Sequence, residues 1–259
     1  MEGLRKRIQT ILDQVPCRSA IVIINHSTGT SLELHPDRVF PAASMIKIPI
    51  MIEVMRQAAL GIISLDDTIE INSQLQTGGA GILKELRSGL RMTVRELVTL
   101  MIILSDNTAT NVLIDLAGMS SINTTITGLG LRSTVLRRKM MDFAAAKAGQ
   151  ENHTSAADLA CLFSGLASGS FPMPPHYNAL MLDILKRQQV RDKLPFYLPE
   201  DIVIAHKTGT LPGAEHDAGI LFVPGGPYII CILTAELTAN YEGLQLVASI
   251  GKTIYDYIS

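Results

Sequence analysis

Ser44-Met45-Ile46-Lys47-Ile48-Pro49-Ile50-Met51-Ile52-Glu53-Val54-Met55 is the stretch from which the fold of this 259-residue chain is read. From Ser44 to about Leu60 nearly every position is apolar, and Gly61 supplies a stop. A helix that is apolar on most sides belongs inside a domain, with other elements packed around it. Pro49 falls within its first two turns, where a proline is tolerated although it removes one backbone donor.

Outward from this helix the two ends of the chain read alike. On the N-terminal side, Leu4, Ile8, Ile11, Leu12 and Val15 recur at helical spacing, which predicts an amphipathic helix over 3–15. Ser19 to Asn25 reads as a strand, His26 to Thr30 as a turn and Ser31 to His35 as its partner. On the far side, residues 64–190 are mostly helical in pattern. Thr93-Val94-Arg95-Glu96 forms a capping box, and Thr108 to Ala117 runs up to Gly118. Thr154 to Leu166 and Pro174 to Arg187 make two more helices.

Strands then return at Asp201 to Thr210, Asp217 to Val223 and Tyr228 to Glu236, followed by a closing helix from about Tyr241 to Ile258. Two strands at the start and three at the end predict one five-stranded antiparallel sheet in an α/β (α+β) fold. The terminal helices would cover one face. A single domain of two lobes follows, an α/β lobe from about 1–60 and 195–259 and a helical lobe from about 61–194, with a site between them.

Composition narrows the function. Hydrophobic residues make up 47% and charged residues 18%, which fits a globular chain and not a disordered one. With net charge −2 and no basic run beyond Arg5-Lys6-Arg7, no nucleic acid is expected as a partner. No apolar run reaches membrane-span length, and the longest, Leu97 to Leu104, is interrupted by Thr99. Gln9, Thr10, Asp13 and Gln14 break any signal core, so the chain reads as cytoplasmic as given, or secreted or periplasmic if a leader has been removed. Cys17, Cys161 and Cys231 are odd in number and widely spaced, and the histidines do not cluster, so neither a disulfide framework nor a metal or other cofactor is expected. A monomer acting on a small molecule is the expectation.

Three polar motifs carry chemistry. Ser44 and Lys47 stand three apart at the start of the buried helix, so the amine returns to the face of the hydroxyl. A lysine flanked by Ile46 and Ile48 is badly placed for solvation, and desolvation lowers its pKa toward that of a base. Ser105-Asp106-Asn107 interrupts the helical region, as a helix–helix turn or as a hydroxyl and an amide set into a cleft. Lys207-Thr208-Gly209-Thr210 ends a strand, where a lysine and hydroxyls suit a carboxylate and a glycine admits an acyl group. Each motif alone is weak; the three in this order are specific. No histidine pairs with Ser44 in a Ser-His-Asp order: His206 should face away from Lys207, while His153 and His216 adjoin element starts, where capping or exposure is usual.

In these motifs the chain resembles the class A β-lactamase and penicillin-recognising serine hydrolase family over nearly its full length. The resemblance implies a β-lactamase/transpeptidase-like fold. It implies Ser44 as nucleophile, Lys47 as its base or proton relay, and Ser105 as the carrier of a proton to the leaving nitrogen. Asn107 would bind the substrate's side-chain amide, and Lys207, Thr208 and Thr210 its carboxylate. The N–H groups of Ser44 and Thr210 would form the oxyanion hole. Hydrolysis of the β-lactam ring amide is the implied activity.

One part of the family pattern is missing. Class A enzymes carry an E-x-x-L-N motif whose glutamate positions the deacylating water, and Arg137-Arg138-Lys139-Met140-Met141-Asp142-Phe143 occupies that stretch here. Counting back from Thr154-Ser155 sets Lys139 at the glutamate's place, with Asp142 and Glu151 the nearest carboxylates for deacylation. The alternatives are a penicillin-binding protein or sensor that forms a stable acyl-enzyme, or a D-Ala-D-Ala peptidase, esterase or amidohydrolase of the same fold.

Overall fold

The computed structural model covers residues 1–259. Helix α1 (Glu2–Leu12) leads into the hairpin β1 (Arg18–Asn25) and β2 (Ser31–Leu34). A short strand β3 (Phe40–Pro41) and a 3-10 turn (Ala43–Ile46) precede α2 (Lys47–Ala59). The middle of the chain holds β4 (Thr68–Ile71), β5 (Leu90–Thr93), α3 (Val94–Ile103), α4 (Asn107–Ala117), α5 (Met119–Gly128), α6 (Phe143–Lys147) and β6 (His153–Thr154). It continues through α7 (Ala156–Ser168), α8 (Pro175–Lys186), β7 (Ile204–Leu211), β8 (Ala214–Val223), β9 (Gly226–Ala235) and α9 (Asn240–Ile258).

Five strands form one sheet in the order β2-β1-β9-β8-β7, all pairs antiparallel. The expected union of both chain ends is made by β1 on β9, where Ile21 faces Ile232 and Ile23 faces Ile230. Because side chains alternate along a strand, these four point to one face and Ala20, Val22, Cys231 and Leu233 to the other. The first set packs with Leu4 and Ile8 of α1 and Leu246, Val247, Ile250 and Ile254 of α9, so the terminal helices do cover one face. The second set joins the larger core, where α7 lies on β1, β8 and β9.

Helix α2 runs through that larger core, in contact with α3, α4, α5 and α8, and is buried apart from Arg56 and Ala59. Its one buried carboxylate, Glu53, is met by Arg56 at 2.7 Å and Gln57 at 2.6 Å. The capping box at Thr93 and Glu96 is formed in both directions, at 3.1 and 2.7 Å. No helix longer than α9 exists, and none is long and apolar enough to cross a membrane.

Among the differences from the sequence reading, two have local reasons. Helix α1 stops at Leu12, not at 15, because Pro16 disfavours helical backbone at Val15. Helix α5 was not anticipated: its Ser-, Thr- and Gly-rich sequence has poor intrinsic propensity. Burial of Ile122 and Ile126, one turn apart, holds it in place.

Candidate active site

The segment carrying Ser44 begins as a 3-10 turn, and regular α-helix starts only at Lys47. Ala43, just before the serine, has φ of 46°, and Ser105 has φ of 54°. Left-handed backbone in non-glycine residues costs about 1–3 kcal/mol and persists only where surrounding contacts impose it. At Ser105 those contacts are visible. The Asp106 carboxylate accepts the N–H groups of Ala109, Ile82 and Leu83 at 2.9, 2.7 and 2.9 Å. Asn107 donates its N–H to Ala80 at 3.0 Å and its side-chain amide to Gly78 at 3.0 Å. Asp106 is thus the N-cap of α4 as well as the clamp on the neighbouring loop.

Strained in this way, Ser105 turns both its carbonyl and its hydroxyl toward Lys47. The Lys47 amine donates to Ser105 O at 2.6 Å, Ser105 Oγ at 3.1 Å and Asn107 Oδ1 at 2.9 Å. From the opposite side Lys207 donates to the same Ser105 Oγ at 3.1 Å and to Thr208 O at 2.7 Å. Both lysines are fully buried. A serine hydroxyl has two lone pairs and one proton, so two lysines donating to the oxygen leave its hydrogen to point elsewhere.

Burying an ammonium disfavours its charged form. Burial lowers the Lys47 pKa to about 7, against an opposing pull from Asp106. Lys207 lies well below its ordinary value, through burial first and then repulsion by Lys47 and Lys193. Burial thus shifts Lys47 toward the free amine near neutral pH, which equips it as a base.

Strand β7 forms the facing wall and is an edge of the sheet, so alternate N–H groups along it lack a strand partner. A Cβ at Gly209 would meet Ala43 Cβ at 3.2 Å and Met45 Cγ at 3.3 Å. The missing side chain lets the strand close on the turn that bears Ser44. Thr208 is buried beside it, and Thr210 reaches the cleft. His216, expected at a cap or exposed, is instead wholly buried in β8, with Nε2 2.9 Å from Pro41 O. Burial lowers its pKa to about 4, and it ties β8 to the approach to Ser44. His206 is buried against Asp217 at 2.9 Å, on the side away from Lys207.

Three residues absent from the sequence reading complete this wall. Lys193 Nζ lies 2.8 Å from Glu215 Oε2 and 2.9 Å from Thr210 Oγ1, and the Thr210 hydroxyl donates to Glu215 at 2.8 Å. Asn240 donates to Glu215 Oε1 at 2.6 Å and to Leu211 O at 2.8 Å. The only signal in the sequence was the charged run Arg191-Asp192-Lys193, which reads as a surface turn.

Ser44, Asn107 and Thr210 line a cleft of about 570 Å³. A cavity of similar size, about 540 Å³ beside Gly61, Arg95 and Tyr177, contains none of the motif residues. Neither Asp142 nor Glu151 lines the cleft. Asp142 caps α6 through Ala145 N at 2.9 Å, and Glu151 pairs with Arg138 at 2.7 Å. Lys139 points away too, to Asp115 at 2.6 Å. The groups that do face the cleft from this loop are Met140, Met141, Phe143, Arg138 and Asn152. Asn111 fixes Met140 there, with bonds to its N–H at 2.8 Å and its carbonyl at 3.2 Å.

Comparison with known proteins identifies the family and the fold. The model of the β-lactamase enzyme family matches residues 3–258. β-Lactamase VEB-1 of Pseudomonas aeruginosa is 24% identical, over 99% of this chain and 90% of its own. The crystal structure of a β-lactamase from Sphaerobacter thermophilus is 31% identical with a TM-score of 0.90, covering 99% of this chain and 96% of that one. PBP-A, in a mutant form captured as an acyl-enzyme with penicillin G, is 29% identical with a TM-score of 0.90 and the same coverage. With the family model spanning nearly the whole chain, this protein belongs to the β-lactamase enzyme family and is a serine hydrolase of the class A type.

Proposed function

We propose that the protein is acylated at Ser44 by β-lactams and by peptide-like amides that end in a carboxylate, and that it releases the acyl group slowly. The free amine of Lys47 takes the Ser44 proton as Ser44 Oγ bonds to the carbonyl carbon. The N–H groups of Ser44 and Thr210 stabilise the oxyanion. The C–N bond of the ring then breaks, and Ser105 Oγ passes its proton to the nitrogen and is resupplied from the lysines. Asn107 holds the side-chain amide, while Lys207, Thr208 and Thr210 hold the carboxylate.

The observation that carries this reading is the convergence of two buried lysine amines on one hydroxyl, Ser105 Oγ, at 3.1 Å each. That arrangement suits a proton relay, and packing alone does not account for it, since burying a polar amine is costly unless its hydrogen bonds serve a purpose. Slow release follows from the cleft lining, which holds no carboxylate to activate water.

Intact-protein mass spectrometry after mixing with benzylpenicillin tests it. A persistent adduct of the whole penicillin, absent in Ser44→Ala, is expected. Rapid turnover without a lasting adduct would overturn slow release, and no adduct at all would overturn acylation.

A further inference from the structure

Outside the catalytic cleft, a cavity of about 410 Å³ lies between α9 and the loop that leads to β7, lined by Asp192, Phe196, Tyr197, Tyr241, Leu244 and Gln245. It shares no lining residue with the cleft. Along α9, Tyr241, Leu244, Gln245 and Ala248 recur at spacings of three and four, so they form one face. Leu246, Val247, Ile250 and Ile254 form the face that packs on the sheet.

The loop wall is fixed from beneath. Lys193 is buried on Glu215 at 2.8 Å, and Leu194, also buried, donates its N–H to Asp217 Oδ2 at 3.0 Å. Gly251 of α9 leaves the space that the Leu194 carbonyl occupies. Phe196 and Tyr197 nonetheless stand 58% and 49% exposed, and Tyr241 across the cavity 62% exposed. Three aromatic rings left in solvent on a fixed frame forgo burial that would stabilise the fold. The Phe196 and Tyr197 rings meet at 74° with centroids 4.9 Å apart, so they do not cover each other's faces by stacking.

Asp192 is the one charged residue of the lining. Lys193, its neighbour in sequence, is turned inward onto Glu215, so no cation of the lining pairs with this carboxylate. We propose that the cavity binds an organic cation bearing a quaternary ammonium group, seated on the rings of Phe196, Tyr197 and Tyr241 with its charge toward Asp192. The negative faces of aromatic rings attract such a cation. A quaternary ammonium has no N–H to satisfy, which suits a lining poor in acceptors. A neutral apolar ligand would instead cover the Asp192 carboxylate without giving it a partner.

The test is calorimetric titration of the whole protein with choline and with its carbon isostere, the same alcohol with a tert-butyl group where choline has trimethylammonium. Choline should bind at least about tenfold tighter, the scale of one or two cation–π contacts. Asp192→Asn keeps the shape of the cavity and should weaken choline while leaving the isostere unchanged. Tyr241→Ala should abolish the saturation-transfer signal of the trimethylammonium protons, with circular dichroism reporting an intact fold. Choline affinity should be the same in Ser44→Ala, and its loss there would place the ligand in the catalytic cleft and overturn the proposal. Equal affinity for the two compounds would reduce the cavity to an apolar surface and overturn it too. So would failure of choline to bind at millimolar concentration, or binding that Asp192→Asn and Tyr241→Ala both leave unchanged.

Discussion

Replacing Lys47 by methionine separates what the lysine does by charge from what it does by hydrogen bonding. In the native protein burial brings its pKa from 10.5 to about 7. That difference corresponds to about 5 kcal/mol of destabilisation of the native state at pH values where the lysine is charged in both states. Between about pH 7 and 10.5 the unfolded chain carries a proton at Lys47 that the native protein has released. Stability therefore rises with pH through this window, by about 1.4 kcal/mol per pH unit. Methionine fills much of the same space and cannot titrate. It also leaves Ser105 O, Ser105 Oγ and Asn107 Oδ1 without the donor they now share. That loss is a constant offset, so it is separable from the slope.

The assay is urea unfolding of wild type and Lys47→Met followed by far-ultraviolet circular dichroism, extrapolated to water at several pH values. From about pH 7 to about pH 9 wild type should gain about 2 kcal/mol relative to the variant. Lys207 titrates in both proteins, and losing its repulsion from Lys47 shifts the difference in the same direction. Acylation by benzylpenicillin should vanish in the variant and, in wild type, rise with pH through about 7. Parallel stability curves across this range would refute the argument, because a lysine with an ordinary pKa does not serve as the base for Ser44.

Other substitutions test separate parts of the account. Met140→Glu places a carboxylate in the cleft where the loop now offers none. It should shorten the acyl-enzyme lifetime about 100-fold, the lower range for a positioned general base; an unchanged lifetime would mean that water is excluded by more than the absence of a base. Glu215→Gln leaves the buried Lys193 charge without its partner, both side chains being under 3% exposed. Thermal or urea denaturation should show a loss of about 3 kcal/mol, and an unaffected variant would show that the Thr210 hydroxyl and the Gly209 carbonyl, 3.3 Å from the Lys193 amine, suffice to hold it. Thr93→Ala removes the cap on α3 and should cost about 1 kcal/mol without altering acylation. A change in acylation there would show that α3 transmits to Ser105.

The elements that build the frame were legible because their signals are local. Alternation in Ala20 to Ile24, the box at Thr93 and Glu96 and the all-apolar run after Lys47 each depend on neighbours a few residues apart. The partners of the site were not. Lys193 meets Thr210 and Glu215 only because β7 and β8 form a hairpin and the preceding segment folds over it. In the sequence Lys193 sits among charges that suit solvent, and nothing near it forecasts burial. Ser105 shows the middle case: its motif was visible, but the left-handed backbone that aims two of its oxygens at Lys47 comes from Asp106 gripping the N–H groups of Ile82 and Leu83.

The loop from Arg137 to Asn152 shows why counting along a chain is a poor guide to which side a loop residue faces. An ungapped count put Lys139 where a deacylating glutamate is expected. In the fold Lys139 is drawn outward by Asp115, and the next residue is held inward because Asn111 binds both polar groups of the Met140 backbone. One position then reverses the chemistry, from a cation to a thioether. Asp142 and Glu151 were the other candidates, and each carboxylate has an occupation elsewhere, at the start of α6 and on Arg138. The same contacts that remove every acid from the cleft wall also turn Met140, Met141 and Phe143 toward it. Slow release is on this argument a consequence of one loop conformation. Grafting a carboxylate at Met140 should therefore speed release of the acyl group.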